Sequence, residues 1–213
     1  MTRKKEEPLY ITTIKPFLAR AISLTALILL SPVYAIIALA IVIDDPGSIF
    51  FSQKRYGKDN VFFMCHKFRT MKMSAPHDVP THKLKNPEQY ITRVGKILRK
   101  TSLDELPQFW DVFQQNMVIV GPRPALWNQD NLIAEREKYG ATHAYVGITG
   151  LAQIRGRDSI TIRKKAKYDG AYWNVLKKGG IKAFLFDCRL LLETVVSVLS
   201  HEGVVEGGTG RGK

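Results

Sequence analysis

The run Arg99-Lys100-Thr101-Ser102-Leu103-Asp104-Glu105-Leu106-Pro107-Gln108 sets two adjacent carboxylates at what reads as a helix start. A carboxylate there can attack an electrophile or ligate a cation. Ser102 followed by Glu105 fits a capping box, whereas Pro107 is more comfortable if the helix begins at Asp104. Either start leaves Asp104 in the first turn, where free N–H groups and the helix dipole favour an ionised carboxylate and an incoming phosphate. In isolation such a pattern commonly only caps a helix. A carboxylate that attacks a phosphate brings an anion to an anion, so cations must be supplied. Lys67, Arg69, Arg99 and Arg123 are the candidates within the chain. Glu105 beside Asp104 offers an oxygen ligand to Mg²⁺, which characteristically takes a carboxylate or two plus substrate phosphates. An aspartyl phosphate would divide one transfer into two steps.

Several elements must bring these groups together. Segments 48–51 and 61–64 read as a short β-hairpin leading into Lys67-Phe68-Arg69-Thr70-Met71. Thr92 is a plausible N-cap for a helix with Val94, Ile97 and Leu98 on one side, ending near Lys100. The helix after Asp104 carries Leu106, Phe109, Trp110 and Phe113 at helical spacing, a pattern of core or membrane-facing residues. The apolar run 117–120 delivers Gly121-Pro122-Arg123-Pro124, in which flanking prolines restrict the backbone and hold Arg123 in a fixed place. Gly147-Ile148-Thr149-Gly150-Leu151-Ala152-Gln153, followed by Arg155-Gly156-Arg157, is glycine-rich and basic, as suits a backbone that approaches phosphates. Helices are expected at 128–139, closed by Gly140, at 160–176, and at 181–199, where most of the circumference is apolar. Residues 74–89 are polar and proline-containing, and read as a loop that could order over a ligand. The tail spells G-x-x-x-x-G-K, but no strand precedes it and no helix follows, so it is no P-loop.

Residues 21–43 lack charges, and at about 1.5 Å per residue a straight helix of that length reaches across a hydrocarbon core of about 30 Å. Pro32 interrupts it, depriving the Ile28 carbonyl of its partner at a cost of roughly 3 kcal/mol unless something compensates. A bend at Ser31-Pro32, with the Ser31 hydroxyl satisfying freed backbone groups, lets the segment dip in and return. Lys and Arg are plentiful on both flanks, from Arg3, Lys4, Lys5, Lys15 and Arg20 to Lys54, Arg55 and Lys58, which favours a re-entrant hairpin over a plain span or a signal peptide. A net charge of +13 and a pI near 9.8 call for an anionic partner: nucleic acid, lipid headgroups or a phosphorylated substrate. The two cysteines, Cys65 and Cys188, form no CxxC, and the histidines show no metal-helix pairing. The domain plan is a basic segment 1–20, a re-entrant helix 21–43, a catalytic domain 44–200 and a glycine-rich tail 201–213. The expected fold class is mainly α with a small β-hairpin (α+β), with interfacial amphipathic helices around one compact domain.

Taken together, the Ser31-Pro32 break, Lys67 to Met71, Arg99 with Ser102 to Gln108, Val120 to Pro124 and Gly147 to Gln153 closely resemble the monotopic phosphoglycosyl transferases. These are small bacterial sugar transferases that begin glycan assembly. The resemblance implies that Asp104 attacks the β-phosphate of a UDP-sugar, releasing UMP, and that polyprenol phosphate (undecaprenyl phosphate) then accepts the phosphosugar. It further implies that Glu105 helps hold Mg²⁺ and that Arg99 and Arg123 contact phosphate. Lys67, Arg69 and Gln153 complete the candidate phosphate- and nucleotide-binding set. The implied partners are UDP-sugar, polyprenol phosphate and membrane lipid rather than nucleic acid, with a homodimer allowed, at the cytoplasmic face of the bacterial inner membrane. Asp111 stands where the family usually has Asn, Gln115-Asn116 replace Gly-Asp, and Val146 replaces a Pro. A membrane-anchored basic protein that binds nucleic acid or anionic lipid without catalysis is the alternative, and it predicts no dependence on Asp104.

Overall fold

The computed structural model describes residues 7–76, 86–156 and 160–199. Most of the expected loop 74–89, Arg157, the tail 201–213 and the first residues of the basic segment 1–20 lie outside the described residues. The helical chain begins well before residue 21. A π-helical turn, Tyr10–Ile14, runs into α1 (Lys15–Leu29), and α2 (Ser31–Asp44) follows a break at Leu30, where φ is −89° and ψ 1°. Pro32 cannot donate to the Ile28 carbonyl, and the Ser31 hydroxyl does so instead at 2.8 Å, as the sequence anticipates.

The inner face of α1 carries Lys15, Pro16, Ala19 and Ser23, while Phe17, Ile22, Leu24, Ile28 and Leu29 point outward. This is the reverse of a water-soluble amphipathic helix and agrees with helix packing in lipid, where small residues allow close approach. Tyr10–Leu29 is the one helix, among the described residues, long and apolar enough to cross a membrane. Ser23 donates to the Phe109 carbonyl, and Tyr34 of α2 donates to the Leu106 carbonyl at 2.5 Å, so both legs rest on the stretch of chain from residue 106 to residue 109.

The hairpin is longer than the sequence indicates. β1 (Phe50–Tyr56) pairs antiparallel with β2 (Phe62–Phe68), from Phe50 opposite Phe68 to Tyr56 opposite Phe62, around a turn in which Asp59 and Asn60 have positive φ. α3 (Arg93–Thr101) is capped as expected, the Thr92 hydroxyl accepting from the Gly95 amide at 2.9 Å. α4 (Gln108–Phe113), α5 (Asp130–Glu137), α6 (Leu151–Ile154), α7 (Ile162–Leu176) and α8 (Gly180–Leu199) complete the helices.

A second, parallel pair, β3 (Val118–Val120) with β4 (Gly147–Thr149), is not evident from the sequence. Both strands are short, and β4 begins with a glycine, so no alternating pattern marks them. Here Gly147 and Gly150 serve close backbone packing: a Cβ on Gly147 would sit 2.2 Å from the Gly121 amide, and one on Gly150 2.2 Å from the Gly121 carbonyl. The two glycines thus let this stretch form a floor beneath the Arg123 turn.

The largest core cluster gathers Ile11, Tyr172, Leu176, Ala183 and Leu190. Within it Lys15 is ion-paired with Asp187 and donates to the Tyr172 hydroxyl at 2.6 Å; that hydroxyl lies 2.8 Å from the Val120 carbonyl. On its outer side α8 exposes Ile181, Leu185, Leu192, Val195 and Val196, the apolar stripe expected of it.

Candidate active site

The chain reaches Asp104 through a change of helical path. Ser102 adopts φ 58°, a left-handed conformation that closes α3, and residues Leu103–Glu105 form a single 3₁₀ turn before α4. The capping box expected from Ser102 and Glu105 does not form: no side-chain cap bond links Ser102 to the turn, and the Glu105 amide bonds the Ser102 carbonyl at 3.2 Å. Nor does the helix begin at Asp104. α4 starts at Gln108 and is too short to supply much of a dipole, so the positive potential at the carboxylates comes from side chains.

Lys67, at the end of β2, lies 2.7 Å from Glu105 Oε1 and 3.5 Å from Asp104 Oδ2. Arg123 grips Glu105 with both terminal nitrogens, Nη1 at 3.1 Å from Oε2 and Nη2 on Oε1. Arg99 donates from Nε to the Thr70 hydroxyl at 2.9 Å and adds its charge to the field at Asp104. Three cations thus converge on two carboxylates from β2, α3 and the turn after β3.

Asp104 is only 9% exposed. Burial pushes its carboxyl above the usual carboxylate range, with the neighbouring Glu105 adding to the rise and Lys67, Arg123 and Arg99 opposing it. Glu105 goes the other way: burial also opposes its charge, but Arg123 and Lys67 overcome that and hold it well below the usual value. The two carboxyls are thus pushed in opposite directions, Glu105 toward the anion and Asp104 toward the protonated form. That division suits one residue as an anionic anchor and the other as a nucleophile.

Arg69, expected to bind phosphate, is placed elsewhere. Its guanidinium bonds the side chain and carbonyl of Asp45 and, at 2.5 Å, the Ser48 carbonyl, pinning the end of α2 to β2. Strand alternation sends Lys67 and Phe68 to opposite faces, while the chain beyond β2 bends Arg69 back to the α2 terminus. Gln153 makes its hydrogen bond to the Ile148 carbonyl at 3.1 Å, not to the carboxylate pair.

Some supporting residues carry no sequence motif. Asp111, fully buried on α4, accepts from the His66 amide at 2.8 Å and lies 2.6 Å from His66 Nδ1, tying α4 to β2. Arg55 and Arg136 bond main-chain carbonyls of the turn that carries Arg123. For Arg136 there was a signal: it follows Ile133 and Leu132 by three and four residues and so shares their buried face.

The donor set fits Mg²⁺. Asp104 and Glu105 are adjacent carboxylates, and no cluster of three or more His, Cys, Asp or Glu side chains occurs among the described residues, so the remaining ligands would be water and substrate phosphate. A metal at Glu105 would compete with Lys67 and Arg123 for the same oxygens.

Comparison with known proteins bears on this arrangement. The Bac_transf model, bacterial sugar transferase, matches residues 10–201. A UDP-glucose:undecaprenyl-phosphate glucose-1-phosphate transferase of Escherichia coli K12 is 39% identical over 179 residues, which cover 79% of this chain and 36% of that longer protein. The exopolysaccharide production protein PSS of Rhizobium leguminosarum bv. phaseoli is 36% identical over 184 residues, covering 84% of this chain and 92% of the relative. A UDP-galactose-lipid carrier transferase of Erwinia amylovora is 31% identical over 204 residues, covering 85% of this chain and 39% of its own length. With a family match from the first helix to beyond α8, and with relatives of similar length as well as longer ones, the chain belongs to the bacterial sugar transferase family.

Proposed function

We propose that the protein transfers a sugar 1-phosphate from a UDP-sugar to polyprenol phosphate, with release of UMP, through an acyl phosphate that joins Asp104 to the phosphosugar. The observation that carries this reading is the geometry of the carboxylate pair: a buried Asp104 with Lys67 3.5 Å away, set beside a Glu105 that Lys67 and Arg123 hold by ion pairs. In the first step an Asp104 oxygen attacks the β-phosphorus, the bond from that phosphorus to the bridging oxygen breaks, and UMP leaves with the electron pair. In the second, the phosphate oxygen of polyprenol phosphate attacks the same phosphorus and the Asp104 carboxylate departs, restoring the enzyme. Lys67 and Arg123 balance the charge of the nucleotide phosphates as it is redistributed, and Arg99 does the same at Asp104 itself. Mg²⁺ held by Glu105 would neutralise phosphate charge that the side chains alone do not cover. The names of the Escherichia coli and Erwinia relatives make UDP-glucose and UDP-galactose the first donors to test.

A lipid-borne acceptor requires the site to lie at a bilayer, and the fold supports a hairpin that enters and leaves the cytoplasmic leaflet. Both ends of the apolar segment are tied to one domain: Lys15 to Asp187 and Tyr172, and Asp44 to the Val94 amide at 2.8 Å. The legs between them turn large aliphatic side chains outward. In a Cys188→Ser background, single cysteines introduced as Arg3→Cys and Lys54→Cys should react with an impermeant thiol reagent from the same side of the membrane. Labelling from opposite sides would show that the segment spans.

The reaction is tested by incubating the purified protein with each donor and a divalent ion, without acceptor. UMP release approaching one equivalent, accompanied by a mass gain equal to the phosphosugar that is discharged on adding polyprenol phosphate, is the expected result. Turnover only with acceptor present, and no adduct at any time, would replace the two-step path with direct transfer.

A further inference from the structure

Arg136 and Arg55 have no part in the proposed chemistry, yet both are committed to the backbone that presents Arg123. Pro122 and Pro124 have no N–H, which removes two of the turn's own donors. Its carbonyls are instead captured from outside, one after another. The Pro122 carbonyl accepts from the Gly147 amide at 2.9 Å, that of Arg123 from Arg136 Nη2 at 2.8 Å, that of Pro124 from Arg55 Nη1 at 2.7 Å, and that of Ala125 from the Tyr56 amide at 2.9 Å. The bond at Arg123 itself is charge-assisted and comes from α5.

Arg136 is anchored in turn. Its Nε and Nη2 both lie 2.8 Å from Asp169 Oδ2 on α7, and the two residues are 4% and 1% exposed. Asp169 makes the ion pair that orients the guanidinium, and the second Nη2 hydrogen reaches the Arg123 carbonyl. This ladder runs from the α5–α7 interface to the arginine that holds Glu105. We propose that Arg136 is a positioning residue for phosphoglycosyl transfer: anchored on Asp169, it fixes the main chain of Arg123 so that the Arg123 guanidinium meets Glu105 and the donor phosphates. The inference rests on the reading of Arg123 given above. A misplacement of the order of 1 Å at a charge-stabilising group can cost about 100-fold in rate, which is the scale such a residue commands.

Arg136→Lys can keep the ion pair to Asp169, but one nitrogen cannot fill both the Nε and Nη2 positions. We expect its kcat to fall about 10- to 100-fold with KM for the UDP-sugar changed less than about 3-fold, since truly uniform binding is not what is lost. The fall should persist when kcat is counted per active site from the UMP burst, and Arg123→Ala should show a larger fall of the same kind. A merely structural role would lower the thermal midpoint and the yield of active protein while leaving kcat per active site unchanged. Arg136→Met/Asp169→Leu, which removes the buried pair without leaving a lone charge, is the second variant should the first not fold. It should show the same fall in kcat at nearly unchanged KM. An unchanged kcat per active site in whichever variant folds, or a loss confined to KM, overturns the inference. If Arg123→Ala itself leaves kcat unchanged, the phosphate role of Arg123 fails instead, and the two failures are distinguishable.

Discussion

Asp104→Asn should lower UMP release by about 10⁴-fold or more and abolish the covalent adduct, while leaving the fold slightly more stable than wild type. The loss is of the order seen when an enzymatic nucleophile is removed outright, because the amide can neither attack phosphorus nor leave from it as a carboxylate. The gain in stability follows from the sign of the pKa shift. The folded protein raises the Asp104 carboxyl above its unfolded value, so it retains the proton that the unfolded chain gives up. Stability of the wild type therefore falls as pH rises from the ordinary aspartate range through the raised value, and stays reduced above it. Asparagine has no such transition. At neutral pH its thermal midpoint in detergent should stand above that of wild type, and the difference should shrink toward acid pH. A variant that retained the adduct would remove Asp104 from the chemistry, and one less stable than wild type at neutral pH would contradict the electrostatic account.

Arg123→Ala is expected to reduce kcat by about 10³-fold, as removal of a charge-stabilising arginine or oxyanion donor does elsewhere. Its effects are distinguishable from a loss of folding because they extend to pH dependence. Arg123 holds Glu105 well below its usual pKa and also lowers that of Asp104, against burial and the Glu105 charge that raise it; Lys67 and Arg99 act in the same sense as Arg123. Without Arg123 the nucleophile should require a higher pH to ionise. The acid limb of kcat/KM should therefore move upward, and activity lost at neutral pH should be partly recovered in more alkaline buffer. Glu105 would retain Lys67 at 2.7 Å, so it would not be left without a counter-charge. Arg123→Lys should recover less than a tenth of the activity, because a single ammonium cannot reproduce the two-point grip on Glu105. An alanine variant with an unmoved acid limb would place Arg123 outside the electrostatic environment of the carboxylates.

The competition for Glu105 gives the site a second aspect. Lys67 and Arg123 already occupy its oxygens, so a divalent ion held there alongside a nucleotide would release these two cations from carboxylate to phosphate. The site is stable without its substrates because its charges are mutually compensated, and it is receptive because phosphate offers the same two cations an anion of greater charge.

The elements legible in the sequence are those whose cause lies within a few residues. The helix break at Ser31-Pro32, the Thr92 cap, the adjacent carboxylates and the rigid Pro122-Arg123-Pro124 turn depend on local backbone chemistry, and apart from the helix start misread at Ser102 and Asp104 they stand where that chemistry puts them. Sequence also indicated that most of the circumference of α8 is apolar, because helical period alone distributes residues around the axis, and its outer side is apolar. What needed the tertiary structure is which cation faces which anion. Lys67 and Arg69 are two residues apart on a strand end, yet one meets Glu105 and the other is bound to Asp45. Arg136 is separated from Asp169 by 33 residues and from Arg123 by 13, so no local pattern reports that the three are joined. The parallel pairing of β3 with β4 is equally distant in the chain, and the glycines that allow it have no side chain to announce a face. Local sequence fixes backbone geometry because φ and ψ respond to near neighbours; the partners of a buried charge are chosen by packing, where residues remote in the chain supply the only compensation available once water is excluded.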